Sequence, residues 1–306
     1  MNTPANAVPE SRVEPQAFAP ADISESRRFY WLVRREIWEN RSIYIAPLAV
    51  AALFLLGFLV NAFRLAANMR GDVMQMHSAI VQPFHLAGLA MMGVTTLVAV
   101  IYCVDALYGE RRDRSILFWK SLPVADLTTV LAKATIPIVV LPLLGFAVTI
   151  AMHWIMLVIS AVVLMAQGLS VATLWAHLAL PHMWATLLYH LGAIHGLWFA
   201  PFYGWLLLVS AWSPRVPFLW AVLPPFAVIA LERVAFNSTH LASMLRRYMM
   251  AAPAGAEFPP TEASMHSMAH FGVGQFLVSP GLWIGLAITA AFLYAAARLR
   301  KYRGPI

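Results

Sequence analysis

Charged side chains are scarce in this chain. Asp, Glu, Lys and Arg make up 11% of its 306 residues, where an ordinary soluble domain carries about 25%. With 61% hydrophobic residues and a mean hydropathy of +0.71, that scarcity argues against a water-soluble globular enzyme. It also argues against disorder over most of the length, which needs low hydrophobicity and high net charge. Cysteine is nearly missing: Cys103 stands alone in an apolar run, so no intrachain disulfide is possible and the redox compartment is left open. No Gly-Lys pair occurs, hence no G-x-x-x-x-G-K-[ST] phosphate loop, and any ATP that powers this chain must be bound by another. Also absent are H-E-x-x-H, adjacent His-His pairs, Ser/His/Asp arrangements and paired carboxylates, which leaves catalysis without positive support.

The longest gap in charge runs from Ala134 to Pro214, 81 residues without Asp, Glu, Lys or Arg. One bilayer crossing takes about 20 residues, so this stretch is read as two spans, roughly 134–165 and 182–212, parted by Gln167, Gly168, Ser170 and Pro181. Both are longer than a bilayer requires and should tilt or kink. Pro137 and Pro142 are the kink points expected in the first, Pro201 in the second. Further apolar runs at 43–63, 85–107, 217–231 and 277–297 bring the total to six. The predicted class is an all-α membrane protein with six transmembrane helices. With both termini in the cytosol, 16 of the Lys and Arg residues fall on the cytosolic side and 5 outside, as the positive-inside rule asks. A third span within the charge-free stretch would send the basic tail at Arg298–Arg303 outside. The net charge of +7 is then a contact with anionic lipid headgroups, not a nucleic-acid signal.

Residues 1–22, polar and proline-bearing without a signal-peptide pattern, are expected to be a flexible cytosolic tail. Residues 23–41 follow as an amphipathic helix: Phe29, Val33 and Ile37 recur at four-residue steps, Trp31 and Trp38 lie seven apart, and Arg27, Arg28, Arg34, Arg35, Glu36 and Glu39 fill most of the rest. That pattern suits a helix lying on the cytosolic leaflet. The segment 109–127, between the second and third spans, reads G-E-R-R-D-R-S-I-L-F-W-K-S-L-P-V-A-D-L. Gly109 is expected to release the chain from the second span, and Asp113 to cap a two-turn helix that ends before Pro123. So short a helix needs something to pack on. Its aromatic centre and charged rim suit either an anchor for a soluble partner or a headgroup-level turn.

That segment, in that position of a six-span protein, resembles the cytosolic coupling segment of the type-2 ABC transporter permeases, the membrane subunits of two-component exporters. The topological likeness runs from about Ser24 to the end, the motif over about 19 residues. The resemblance implies that Glu110, Arg111, Arg112, Asp113, Arg114, Phe118, Trp119 and Lys120, with Pro123 ending the segment, contact a separate ATPase subunit. It implies a dimer of permease subunits, homodimeric or pseudo-symmetric, in a bacterial-type inner membrane, with ATP and Mg on the partner and no cofactor on this chain. The basic-aromatic helix with Arg27, Arg28, Trp31, Arg34, Arg35 and Trp38 matches the family's N-terminal interfacial helix by type and position. The long external segment 237–275 departs from better-characterised members and is read as a lid, a helical hairpin or plain loop.

Other residues have plainer readings. His177–His182, His190–His195 and His266–His270 have box-like spacings, but residues five apart lie about 140° apart around a straight α-helix. The histidines are therefore read as headgroup-level or bundle-interior residues; a histidine-box metalloenzyme, and a non-transporting membrane anchor for a soluble partner, stand as the alternatives. Asp105 is expected to pair with a nearby arginine or Lys133, and adjacent Glu232 and Arg233 each to find its own partner. Gly192/Gly196 and Gly281/Gly285 are G-x-x-x-G pairs that allow close helix packing.

Overall fold

The structure, a computed structural model, describes residues 24–68, 73–121, 124–166, 168, 170–172, 178–250 and 273–304. The tail 1–22, Pro123, His177, His266, His270 and most of the external segment lie outside the described residues. Among the described residues every regular element is helical. Apolar composition explains this: inside a bilayer each backbone N–H must be satisfied within its own segment, and a helix does that.

Helix α1 (Glu25–Glu39) ends at Asn40, and α2 (Ser42–Asn68) begins two residues later. Helix α3 (Val73–Asp105) runs back and is followed by two short helices, α4 (Tyr108–Arg112) and α5 (Ser115–Ser121). Helix α6 (Asp126–Thr135) continues through a π-helical segment, Ile136–Val140, into α7 (Leu141–Ala166). Pro137 lies in that π segment; having no N–H, it loses no bond where the register widens. Helix α8 (Leu180–Tyr189) leads through a second π segment, His190–Trp198, and a 47° bend into α9 (Ala200–Trp212). Pro201 sits in the first turn after the bend, where proline fits a helix start. Then come α10 (Pro217–Phe236), α11 (His240–Met250), α12 (Val273–Val278) and α13 (Pro280–Tyr302).

Five helices are long and apolar enough to cross a membrane, six when the bent pair α8–α9 counts as one span. Their windows cover the expected spans, but the second widens to Ile80–Arg112, the third reaches back to Asp126, and the fifth and sixth run on to Phe236 and Tyr302. Two corrections fall near the second span. The turn after α3 is at Ala106–Leu107, not Gly109, which lies inside α4. Asp113 closes α4 and does not cap α5; Arg114, at φ 59°, makes the reversal between them.

Helices α9 and α13 pack together, as do α2, α3 and α7. One core layer holds Ile43, Tyr102, Val130, Tyr203, Leu207 and Leu293; a second, further along the bundle, holds Phe84, Met91, Met152 and Met156. Side-chain contacts gather the start of α2, the end of α3, the start of α6, and the ends of α9 and α13 at one end of the bundle. Helix α1 sits at that same end.

Candidate functional site

The expected coupling segment lands on a buried cluster of charge. Glu110 of α4 lies 3.1 Å from Lys133 of α6, 3.2 Å from Arg35 of α1 and 3.2 Å from Arg300 of α13. Lys133 Nζ also donates to both carboxylate oxygens of Glu36, at 2.9 and 3.0 Å. Glu36 takes a further hydrogen bond from the Tyr102 hydroxyl at 2.9 Å and pairs with Arg35 at 2.7 Å. Arg300 completes the set by donating to Asp126 at the start of α6. Three acids (Glu36, Glu110, Asp126) thus meet three cations (Arg35, Lys133, Arg300), and the exposed Glu39 adds a further carboxylate to Arg35 at 3.3 Å. Glu36 and Lys133 are each 2% exposed. Burying charges is costly unless they are paired and hydrogen-bonded, and this balance meets that condition.

The neighbouring cations of the segment hold helix ends. Arg111 Nη1 donates to the carbonyls of Ala211 (2.8 Å) and Ser213 (3.1 Å), the orphan acceptors at the end of α9. Ser210 Oγ accepts from the amides of Leu107 and Tyr108, binding the turn after α3 to α9. Lys120 Nζ donates to the carbonyls of Lys301, in the last turn of α13, and of Arg303, just past it, and Arg303 donates to the Trp212 carbonyl. Cations at C-terminal carbonyls also complement the helix dipole.

The expected partner residues therefore divide. Glu110, Arg111 and Lys120 are engaged within the chain. Trp119 is half-buried, its ring 3.7 Å beneath the Arg35 guanidinium and edge-on to Phe118. Arg112 and Asp113 are exposed and pair with each other, Arg112 also approaching Asp105 at 3.6 Å. Leu117 and Phe118 point outward, 58% and 60% exposed. What remains accessible is an apolar tip with a charged rim, on a base fixed to α1, α6, α9 and α13.

Sequence reasoning left Glu36 among the polar residues of α1 and offered Lys133 to Asp105, which meets Arg112 instead. Both carried a signal. Glu36 falls three residues after Val33 and one before Ile37, on the apolar side of α1, and Lys133 is flanked by Val130, Leu131 and Ala134.

The histidines are engaged singly. Trp184 Nε1–H donates to His153 Nδ1 (3.0 Å), and His153 Nε2 donates to the Phe84 carbonyl (3.0 Å). His190 Nδ1 donates to the Thr186 carbonyl, and His195 Nδ1 lies 3.0 Å from Thr96 Oγ1. The π register brings residues five apart into line, so His190 and His195 share a face that a straight α-helix would deny them. Even so, no group of three or more His, Cys, Asp or Glu side chains among the described residues is placed to hold a metal.

At the opposite end, Glu232 accepts from the amides of His240 and Leu241 and from Ser238 Oγ, capping α11. Trp198 and Tyr248 stack at 4.9 Å and exchange hydrogen bonds with each other's carbonyls. Burial pushes the Tyr248 phenol up to about 12. Of the four motif glycines, Gly192 faces open space. A Cβ on Gly196 would stand 2.6 Å from the Ile138 carbonyl oxygen, on Gly281 3.1 Å from Trp198, and on Gly285 2.8 Å from the Tyr248 hydroxyl. Those three pack against elements of the same chain.

Compared with protein-family models, with curated proteins and with solved structures, the chain matches none.

Proposed function

We propose that this chain is the membrane-embedded permease subunit of an ATP-driven exporter, working as a dimer with two ABC-type ATPase subunits in a bacterial-type inner membrane. The observation that carries the reading is the attachment of the α4–α5 segment. Its outward tip, Leu117 and Phe118, is free for a partner, while its base is joined through Glu110 to Lys133 on the third span and Arg300 on the sixth. A push on the tip is delivered to two membrane helices, since a cluster of paired buried charges moves as a unit or not at all. The missing phosphate loop assigns ATP binding to the partner. Helix α1 lies on the cytosolic face in this reading, and the external helix α11 on the other.

The test is co-purification of the full chain with the ABC-type ATPase encoded nearest its gene, followed by ATP turnover in lipid nanodiscs. Phe118→Ala removes an outward ring with no internal hydrogen bond. Loss of a well-placed aromatic anchor costs about 2 kcal/mol or more, so association should weaken at least tenfold with the melting temperature unchanged. Undiminished association of Phe118→Ala, or binding that never stimulates turnover, would sink the coupling role; the second outcome leaves a membrane anchor.

A further inference from the structure

Helix α1 has a second face. Arg27, Tyr30, Trp31, Arg34 and Trp38 fall within roughly 100° of arc at 3.6 residues per turn; the side facing away from them carries Glu36 into the bundle, and Val33 and Ile37 pack against the core from the flank between. Tyr30, Trp31 and Trp38 are exposed, Trp38 by 62%. The Arg34 guanidinium lies between two indoles, 5.0 Å from the Trp31 ring and 4.4 Å from that of Trp38. Arg35, one residue on, is held by three carboxylates, whereas among the described residues neither Arg27 nor Arg34 forms an ion pair. Among the described residues no acid stands on the face. It sits at the end of the bundle where the first span begins.

We propose that this face is a binding site for the phosphate of an anionic phospholipid, with Arg34, oriented by the Trp31 and Trp38 rings, as the central cation and Arg27 as the second. Charge complementarity selects the occupant: two unpaired guanidiniums offer donors that match a phosphodiester, and indoles settle at headgroup depth. An acidic protein surface would supply charge without the apolar layer that three exposed aromatics require. Because Glu36 leaves the opposite side of the same helix and Arg35 the flank beside Trp31, the bound lipid clamps the helix that holds one side of the buried charge cluster. The inference rests on the chain lying in a membrane and not on its role as a permease, so failed ATPase capture would leave it standing.

The test uses the full chain in detergent, titrated with phosphatidylglycerol and with phosphatidylcholine and read by native mass spectrometry. Each arginine near an anionic headgroup contributes roughly fivefold, so Arg27→Gln/Arg34→Gln should bind phosphatidylglycerol about twentyfold more weakly. Phosphatidylcholine binding should not change, and Arg246→Gln, at the opposite end of the bundle, should behave as wild type. In proteoliposomes, brominated phosphatidylglycerol should quench wild-type fluorescence more than that of Trp31→Phe/Trp38→Phe. Equal retention of the two lipids by wild type, or an unchanged preference in the double arginine variant, would overturn the assignment. So would a double variant that keeps its lipid and instead loses an acidic soluble partner, which would give the face to a protein.

Discussion

Exchanging Glu110 for glutamine removes one of the three carboxylates that, with Glu39 at the rim, meet three cations inside the bundle. None of the cations is left bare. Lys133 keeps Glu36 at 2.9 and 3.0 Å, Arg35 keeps Glu36 at 2.7 Å, and Arg300 keeps Asp126. The cost should sit at the lower end for a broken buried pair, about 3 kcal/mol. Lys133→Met is worse. It withdraws the one ammonium that bridges Glu36 and Glu110, leaving Glu36, 2% exposed, with Arg35 and the Tyr102 hydroxyl; about 5 kcal/mol is expected. The double variant removes one acid and one cation together and so keeps the net charge of the cluster, and its loss should fall short of the sum by about 2–3 kcal/mol. Apparent melting temperatures in one detergent would measure this, or unfolding rates at one temperature where melting is irreversible. Arg246→Gln, on an exposed position of α11, is the reference and should stay within about 0.5 kcal/mol of wild type. Strictly additive losses would refute the idea that these charges act as one balanced unit.

Two further outcomes follow from the packing. Gly196→Ala places a methyl 2.6 Å from the Ile138 carbonyl oxygen and should destabilise by about 1–3 kcal/mol, while Gly192→Ala, with open space around its Cβ, should be neutral or slightly stabilising; equal effects in a thermal scan would show that the two π segments do not approach as described. Tyr248→Phe deletes the hydroxyl that donates to the Trp198 carbonyl at 2.7 Å, a loss of about 1 kcal/mol. Hydrogen exchange of the α11 amides should accelerate about fivefold with the six spans unaffected, and unchanged exchange would show that the Trp198–Tyr248 contact does not hold α11 to the bend.

Most of the fold could be read from the chain because a bilayer leaves few options. Runs of apolar residues become helices, and charge marks their ends. The bend near Pro201 was likewise legible, since proline cannot donate to the ladder; of the two kink points expected in the third span, Pro137 carries a π segment and Pro142 lies within the first turn of α7. The widening at 190–198 had no such marker: it contains no proline, and its register is tied to the close passage of Gly196 over Ile138. That contact joins residues 58 apart, and no local pattern reports it. The same holds for Asp113 and Gly109, where local capping rules gave way to the reversal at Arg114 and the pairing of the loop with α9.

The candidate site was half legible, and the reason is the distance over which charges must find one another. On an amphipathic helix a glutamate is normally solvated, so Glu36 reads as surface until a cation arrives from elsewhere. That cation, Lys133, lies 97 positions away, and Arg300 reaches Glu110 from 190 positions away. Only the fold reveals that each is the other's solvent. The consequence bears on how the segment should be probed. Substituting Glu110 tests the integrity of the cluster first and any partner second, because its carboxylate touches three other segments of the chain. Phe118 and Leu117, with 60% and 58% of their surface outside, can be changed without disturbing an internal polar contact. A variant of either that lowers ATPase capture while melting as wild type does speaks to the partner alone, and a Glu110 variant that lowers both does not.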